Sequence, residues 1–141
     1  MEDAFTLIWN SGLAILNETM AEHRFELVQG GSGNSSGGRF ASAVFRRGDR
    51  SLEVNFRYAL GMVSYHLGKA SLSHDDFMLS VLGKPWASHY PGFSNDPLDG
   101  FRHLREDLEQ FASDFLLGSD TAFLCHVKNA AALRSKIPKL P

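Results

Sequence analysis

The sequence predicts one α+β domain: an N-terminal helix, a four-stranded antiparallel meander, and three C-terminal helices packed on one sheet face. Three observations carry this reading. Leu52, Val54, Phe56 and Tyr58 alternate with Ser51, Glu53, Asn55 and Arg57, the period-2 pattern of a strand with one wet face. The strand-like runs on either side are joined to it by connections too short for a crossover, so the neighbours must be antiparallel. Beyond Ser73 the apolar positions recur at three- and four-residue steps, which is helical.

Taken in order, Asp3 suits an N-cap for a first helix over about 3–21, with Phe5, Leu7, Ile8, Leu13, Ile15 and Leu16 as its apolar positions. Phe25, Leu27 and Val28 suggest a short strand ending at Gly30. Residues 30–38, Gly-Gly-Ser-Gly-Asn-Ser-Ser-Gly-Gly, read as a flexible loop. Arg39–Arg47 is the next strand, turned through Gly48-Asp49 into the alternating run. Met62–Leu67 is the last, with Val63, Tyr65 and Leu67 on one face. Ser73 then caps a short helix that places Asp75 and Asp76 in its first turn and stops at Gly83. A longer helix opens on Asp96 and Pro97, carries Leu98, Phe101, Leu104, Leu108, Phe111, Ala112 and Phe115, and ends at Gly118. Ser119 or Asp120 caps the final one, bearing Phe123, Leu124, Val127, Ala131 and Leu133, with 138–141 as a frayed tail.

Composition bounds the function classes. With 141 residues, 43% apolar and 21% charged, the chain fits a single domain, 1–141, with a core large enough to fold without staples. The lone Cys125 rules out an internal disulfide framework and suits a reducing compartment, so a cytoplasmic location is expected. Acids stand at the N-terminus where a signal peptide would carry Lys or Arg, and no apolar run is long enough to span a bilayer. Net charge is −2, distributed unevenly. Residues 39–57 carry five arginines against Asp49 and Glu53, whereas 95–120 carry seven acids against Arg102 and Arg105. Such asymmetry either steers a charged partner or is offset within the fold.

Catalytic signatures are weak. Gly33 and Gly38 have the spacing of a phosphate loop, but Arg39 and Phe40 replace the Lys and the Ser or Thr it requires, and a strand follows where a helix N-terminus is needed. None of the six histidines forms an i, i+4 pair. The densest ligand-type group is His74-Asp75-Asp76, joined by His66 as a metal or small-molecule alternative, but a helix-start cap is the better explanation of it. Cys125 lies inside a predicted helix with no activating partner and is expected to be buried. Glu106, Asp107 and Glu109 read as a solvated helix face. No cofactor is implied.

The remaining feature is the aromatic loop Trp86-Ala87-Ser88-His89-Tyr90-Pro91-Gly92-Phe93. Its rings suit either a recognition surface or closure of the core's open edge. Nucleic acid is disfavoured, because the loop abuts the most acidic helix. The run His89-Tyr90-Pro91-Gly92-Phe93-Ser94-Asn95-Asp96-Pro97-Leu98-Asp99-Gly100-Phe101, followed by Leu104-Arg105-Glu106-Asp107-Leu108, resembles a loosely defined family of small, uncharacterised bacterial single-domain proteins. Some similar ones are immunity partners of bacterial toxins. The resemblance implies a bacterial cytosolic protein and assigns no catalytic residue. The expected function is therefore non-enzymatic protein binding of immunity or regulatory type, through Trp86, His89, Tyr90 and Phe93 and the acidic helix residues Glu106, Asp107 and Glu109. The alternative is a small-molecule or metal-dependent enzyme using His66, His74, Asp75 and Asp76.

Overall fold

Hairpins joining successive strands build one antiparallel sheet in the order β1-β2-β3-β4-β5. The computed structural model describes residues 3–35, 38–84, 90 and 95–136. Its elements are α1 (Ala4–Glu22), β1 (Glu26–Ser35), β2 (Gly38–Arg47), β3 (Arg50–Phe56), β4 (Leu60–Leu67), β5 (Ala70–Ser73), α2 (His74–Leu82), α3 (Asp99–Phe111), α4 (Ser113–Leu116) and α5 (Asp120–Lys136). The α+β class, the N-terminal helix, the antiparallel sheet and the C-terminal helices are as the sequence predicts. No helix among the described residues is long and apolar enough to cross a membrane. The expected frayed tail, 138–141, lies outside the described residues.

Among the described residues the sheet has five strands where four were expected. β5 is four residues long with Leu72 as its one large apolar side chain, too short to show a period. Gly68, at φ +57, supplies the left-handed conformation of the tight turn before it. The loop expected over 30–38 is also corrected: β1 runs to Ser35 and β2 begins at Gly38, with a register shift between Gln29 and Ser32. Pairing to β2 resumes at Ser32 and includes Gly33, while Gly30 and Gly31 lie in the register shift. The long helix expected from Asp96 to Gly118 divides. Asp96 accepts from the Leu98 N–H at 2.9 Å in a turn before the helix, which starts at Asp99 and ends at Phe111. A single further turn, α4, follows. Among the described residues the C-terminal helices therefore number four.

Register puts the large side chains on one sheet face. Phe45, Leu52, Tyr65 and Leu72 lie in a row across β2 to β5, and all four are buried. The opposite face carries Ser51, Glu53 and Asn55 from β3. α1 lays Trp9, Leu13, Leu16 and Met20 against the apolar face, and Trp9 stacks on Phe56 at 5.4 Å. Phe77, Phe101, Phe115 and Phe123 complete the core from the later helices. Gly12 is needed where α1 meets α3, because a Cβ there would run into the Phe101 ring.

Two arginines of the basic segment bond to the ends of helices. Arg47 donates to the carbonyls of His23 at 2.7 Å and Leu116 at 2.8 Å. Arg50, 7% exposed, donates to the Phe115 carbonyl at 2.7 Å and to Asp120 at 2.8 Å. These carbonyls lie at the C-terminal ends of α1 and α4, where unpaired oxygens and the helix dipole favour cations.

Two outcomes follow. Gly12→Ala, normally worth about 1 kcal/mol to a helix, is expected to destabilise here by about 1–3 kcal/mol through overpacking, read from denaturant unfolding midpoints. The Asp3 carboxyl is held down to about 2 from its ordinary 3.8, first by the Thr6 N–H and then by Arg39. Because its folded value is the lower, its contribution is complete above about pH 4 and lost as pH falls toward about 2. Protection of the Thr6 amide, taken relative to its intrinsic exchange rate at each pH, is expected to fall across that window, and Asp3→Ala to remove the fall.

Candidate functional site

Four elements meet around His74. β4 points Tyr65 into the core because that strand's inward positions are Leu60, Val63, Tyr65 and Leu67. The Ser73 hydroxyl caps α2 by accepting from the Asp76 N–H at 3.1 Å, which makes His74 the first helical residue. α3 brings Asp107 from beyond. The His74 Nδ1 lies 2.7 Å from the Tyr65 hydroxyl and its Nε2 lies 2.8 Å from Asp107 Oδ2. The three residues are 2%, 0% and 0% exposed for His74, Tyr65 and Asp107.

The partners assign the tautomer. A carboxylate accepts, so Nε2 carries the proton, and Nδ1 accepts from the phenol. Tyr65 stays a phenol because burial, and then the Asp107 charge, push its pKa well above the ordinary value. The same Asp107 oxygen accepts from the Tyr90 N–H at 3.1 Å. Tyr90 donates its hydroxyl to the Leu60 carbonyl at 2.9 Å and approaches that of Gly61; burial, then Asp75, raises its pKa. Its ring meets His74 edge-on at 5.5 Å. Both imidazole nitrogens are thus occupied by buried protein groups.

Beside Tyr90 the surface opens. A groove of about 440 Å³ runs between Leu60, Met62, Ser73, Asp75 and Tyr90. A second, of about 350 Å³, lies between Phe40, Asn55, Arg57 and Met62. Met62 is common to both. It is 71% exposed near the start of β4, and Tyr58 in the preceding β3–β4 connection is 73% exposed.

A second histidine network ties the helices. Ser80 Oγ lies 2.5 Å from His126 Nδ1, and His126 Nε2 lies 2.7 Å from Asp114 Oδ2. Asn129 donates to the Ser80 hydroxyl at 2.9 Å. The residue types are those of a hydrolase triad, but Ser80 is buried within α2. Helical bonding there occupies the nearby N–H groups that an oxyanion would need. The arrangement clasps α2, α4 and α5.

The sequence-predicted residues separate. His66 is on the wet sheet face, 3.1 Å from Glu53. Asp75 is exposed at the groove, and Asp76 pairs with Arg134 at 2.6 Å. No group of three or more His, Cys, Asp or Glu able to hold a metal occurs among the described residues. Asp107 is interior, correcting its placement on a solvated face: it sits between Leu104 and Leu108 on the buried stripe of α3. Glu106 and Glu109 are exposed, and Glu109 accepts from Thr19 at 2.8 Å. Trp86, His89 and Phe93 lie outside the described residues. Cys125, expected to be buried, is exposed. Tyr58, Met62 and Tyr65 were not singled out by sequence reasoning as site residues. Of these, Tyr58 and Met62 carried a signal: large apolar side chains flanking a short strand connection.

No protein-family model, curated protein or solved structure matches this chain.

Asp107→Leu strands the His74 Nε2–H and the Tyr90 N–H in the interior and is expected to cost about 3 kcal/mol. Asp107→Asn keeps an acceptor oxygen and is expected to cost about 1 kcal/mol. Urea unfolding of the two variants checks the difference.

Proposed function

We propose that the protein is a non-enzymatic protein-binding module, of immunity or regulatory type, whose contact surface is centred on the β3–β4 connection. One observation carries the reading. Tyr90, from the aromatic segment that also contains Trp86, His89 and Phe93, is fastened to Leu60 and Gly61, beside the exposed Tyr58 and Met62. Aromatic residues and Met are enriched at interface cores, where each buries much area at low entropic cost. Two grooves flank Met62 and would receive a partner's side chains.

The acidic helix takes a secondary part. Arg102 pairs with Asp96 and Asp99, and Arg105 with Glu18 and Glu109, so two cations are shared among four carboxylates and the helix face keeps a net negative charge. Glu106 and Glu109 then belong to the rim, where charges tune association rate more than affinity. The closed hydrogen-bonding of His74 favours binding over the enzyme alternative, since a general base needs a free nitrogen within reach of substrate. In this reading the protein works in the cytosol, without nucleic acid, membrane or cofactor.

The test is affinity capture from a lysate of the encoding organism, comparing the wild-type chain with Tyr58→Ser/Met62→Ser. Both side chains are mostly exposed, so the double variant is expected to keep its stability within about 0.5 kcal/mol. A stoichiometric protein partner whose affinity falls more than about tenfold in the variant supports the proposal. A wild-type chain that retains no protein, or a partner held equally by both, contradicts it.

A further inference from the structure

At the opposite end of the sheet, roughly 20 Å from Tyr58 along β3, a groove of about 420 Å³ lies between Glu22, His23, Arg24, Arg47, Leu116 and Leu117. Two guanidinium groups face it with donors to spare. Arg47 uses one terminal nitrogen for the His23 and Leu116 carbonyls, and its remaining N–H groups have no partner among the described residues. Its side chain is held rigid by those bonds and by the Phe25 ring 4.4 Å away. The Arg24 side chain makes no hydrogen bond or ion pair among the described residues. Arg24 is also the one non-glycine residue there at positive φ, +68, in the left-handed position after α1 where helices favour glycine. The chain thus carries a strained arginine at the rim where an unstrained glycine would serve the backbone better.

Positive charge in the groove is incompletely compensated. Arg24 and Arg47 face the single carboxylate of Glu22, and Arg50 behind them is already paired with Asp120. Burial, and then repulsion from Arg50 and Arg24, lower the Arg47 pKa. The other wall is apolar, with Leu117 71% exposed. We propose that this groove binds the C-terminal carboxylate of a partner peptide that ends in an apolar residue, the carboxylate on Arg24 and Arg47 and the side chain on Leu117. One surplus positive charge matches a monoanion, whereas the Glu22 carboxylate opposes a phosphate dianion. The planar fork of guanidinium matches a carboxylate in two parallel hydrogen bonds. The site is independent of the β3–β4 surface and does not rest on the function proposed for it.

The probe is N-acetyl-leucine, titrated into the full chain while the arginine Nε–Hε signals are followed by NMR. The expected result is a saturable shift confined to Arg24 and Arg47, weakened about tenfold or more for N-acetyl-leucinamide, which has no carboxylate. Arg24→Gly relaxes the backbone, so its melting temperature should equal or exceed that of the wild type while N-acetyl-leucine binding falls by a similar factor. That combination separates a binding role from a structural one. An absent or unsaturable response, equal binding of the amide, unchanged binding by Arg24→Gly, or tighter binding of inorganic phosphate would each overturn the proposal.

Discussion

The two hydrogen bonds of the buried His74 ring are the constraint on which the middle of the molecule depends. An imidazole this deep is tolerated only if both nitrogens are satisfied, and here they are satisfied by different elements: β4 through Tyr65 and α3 through Asp107. The ring therefore fixes the sheet, the start of α2 and the third helix relative to one another. Asp107 extends the chain to Tyr90, and Tyr90 returns it to the start of β4 through Leu60. A closed circuit of directional bonds specifies geometry more sharply than apolar packing alone. Ring contacts from Tyr65 to Phe77 and Phe115 connect the circuit to the main core.

The two ends of the sheet use their polar groups differently. At the β2–β3 end, Arg47 and Arg50 satisfy helix-terminal carbonyls, so these two arginines serve the fold first. At the β3–β4 end the backbone carbonyls of Leu60 and Gly61 receive Tyr90, while Tyr58 and Met62 stay in water. The first end therefore offers charge in a rigid setting, and the second offers apolar area beside an anchored aromatic segment.

Much of this was legible in the sequence because periodicity reports burial directly. The alternation over 51–56, the caps at Asp3 and Ser73, and the positive-φ turn at Gly48 all appear in the structure, whereas Tyr58, expected to continue the apolar row, lies beyond the end of β3 and is exposed. What was missed lacked a period or depended on distant partners. β5 is shorter than one recognisable alternation, and β1 continues through its glycine run only because β2 pairs with it on both sides of the register shift that holds Gly30 and Gly31. Asp107 was legible in principle: it falls at the helical spacing of Leu104, Leu108 and Phe111, and a carboxylate on an apolar stripe demands a buried donor. The identity of that donor, His74, lies 33 residues away and could not be read locally. The grouping of His74 with Asp75 and Asp76 followed sequence adjacency, whereas the helix turns successive residues to different sides.

Held in this way, His74 acts as a fastening that orients Tyr90 beside the proposed recognition surface, with no nitrogen left for a substrate. Long-range ¹H–¹⁵N NMR of the imidazole rings tests that claim most directly. The expected spectrum shows His74 as the Nε2–H tautomer with a ring proton protected from exchange with water. A His74 ring in the Nδ1–H form, or one whose proton exchanges as freely as an exposed imidazole, would contradict the account.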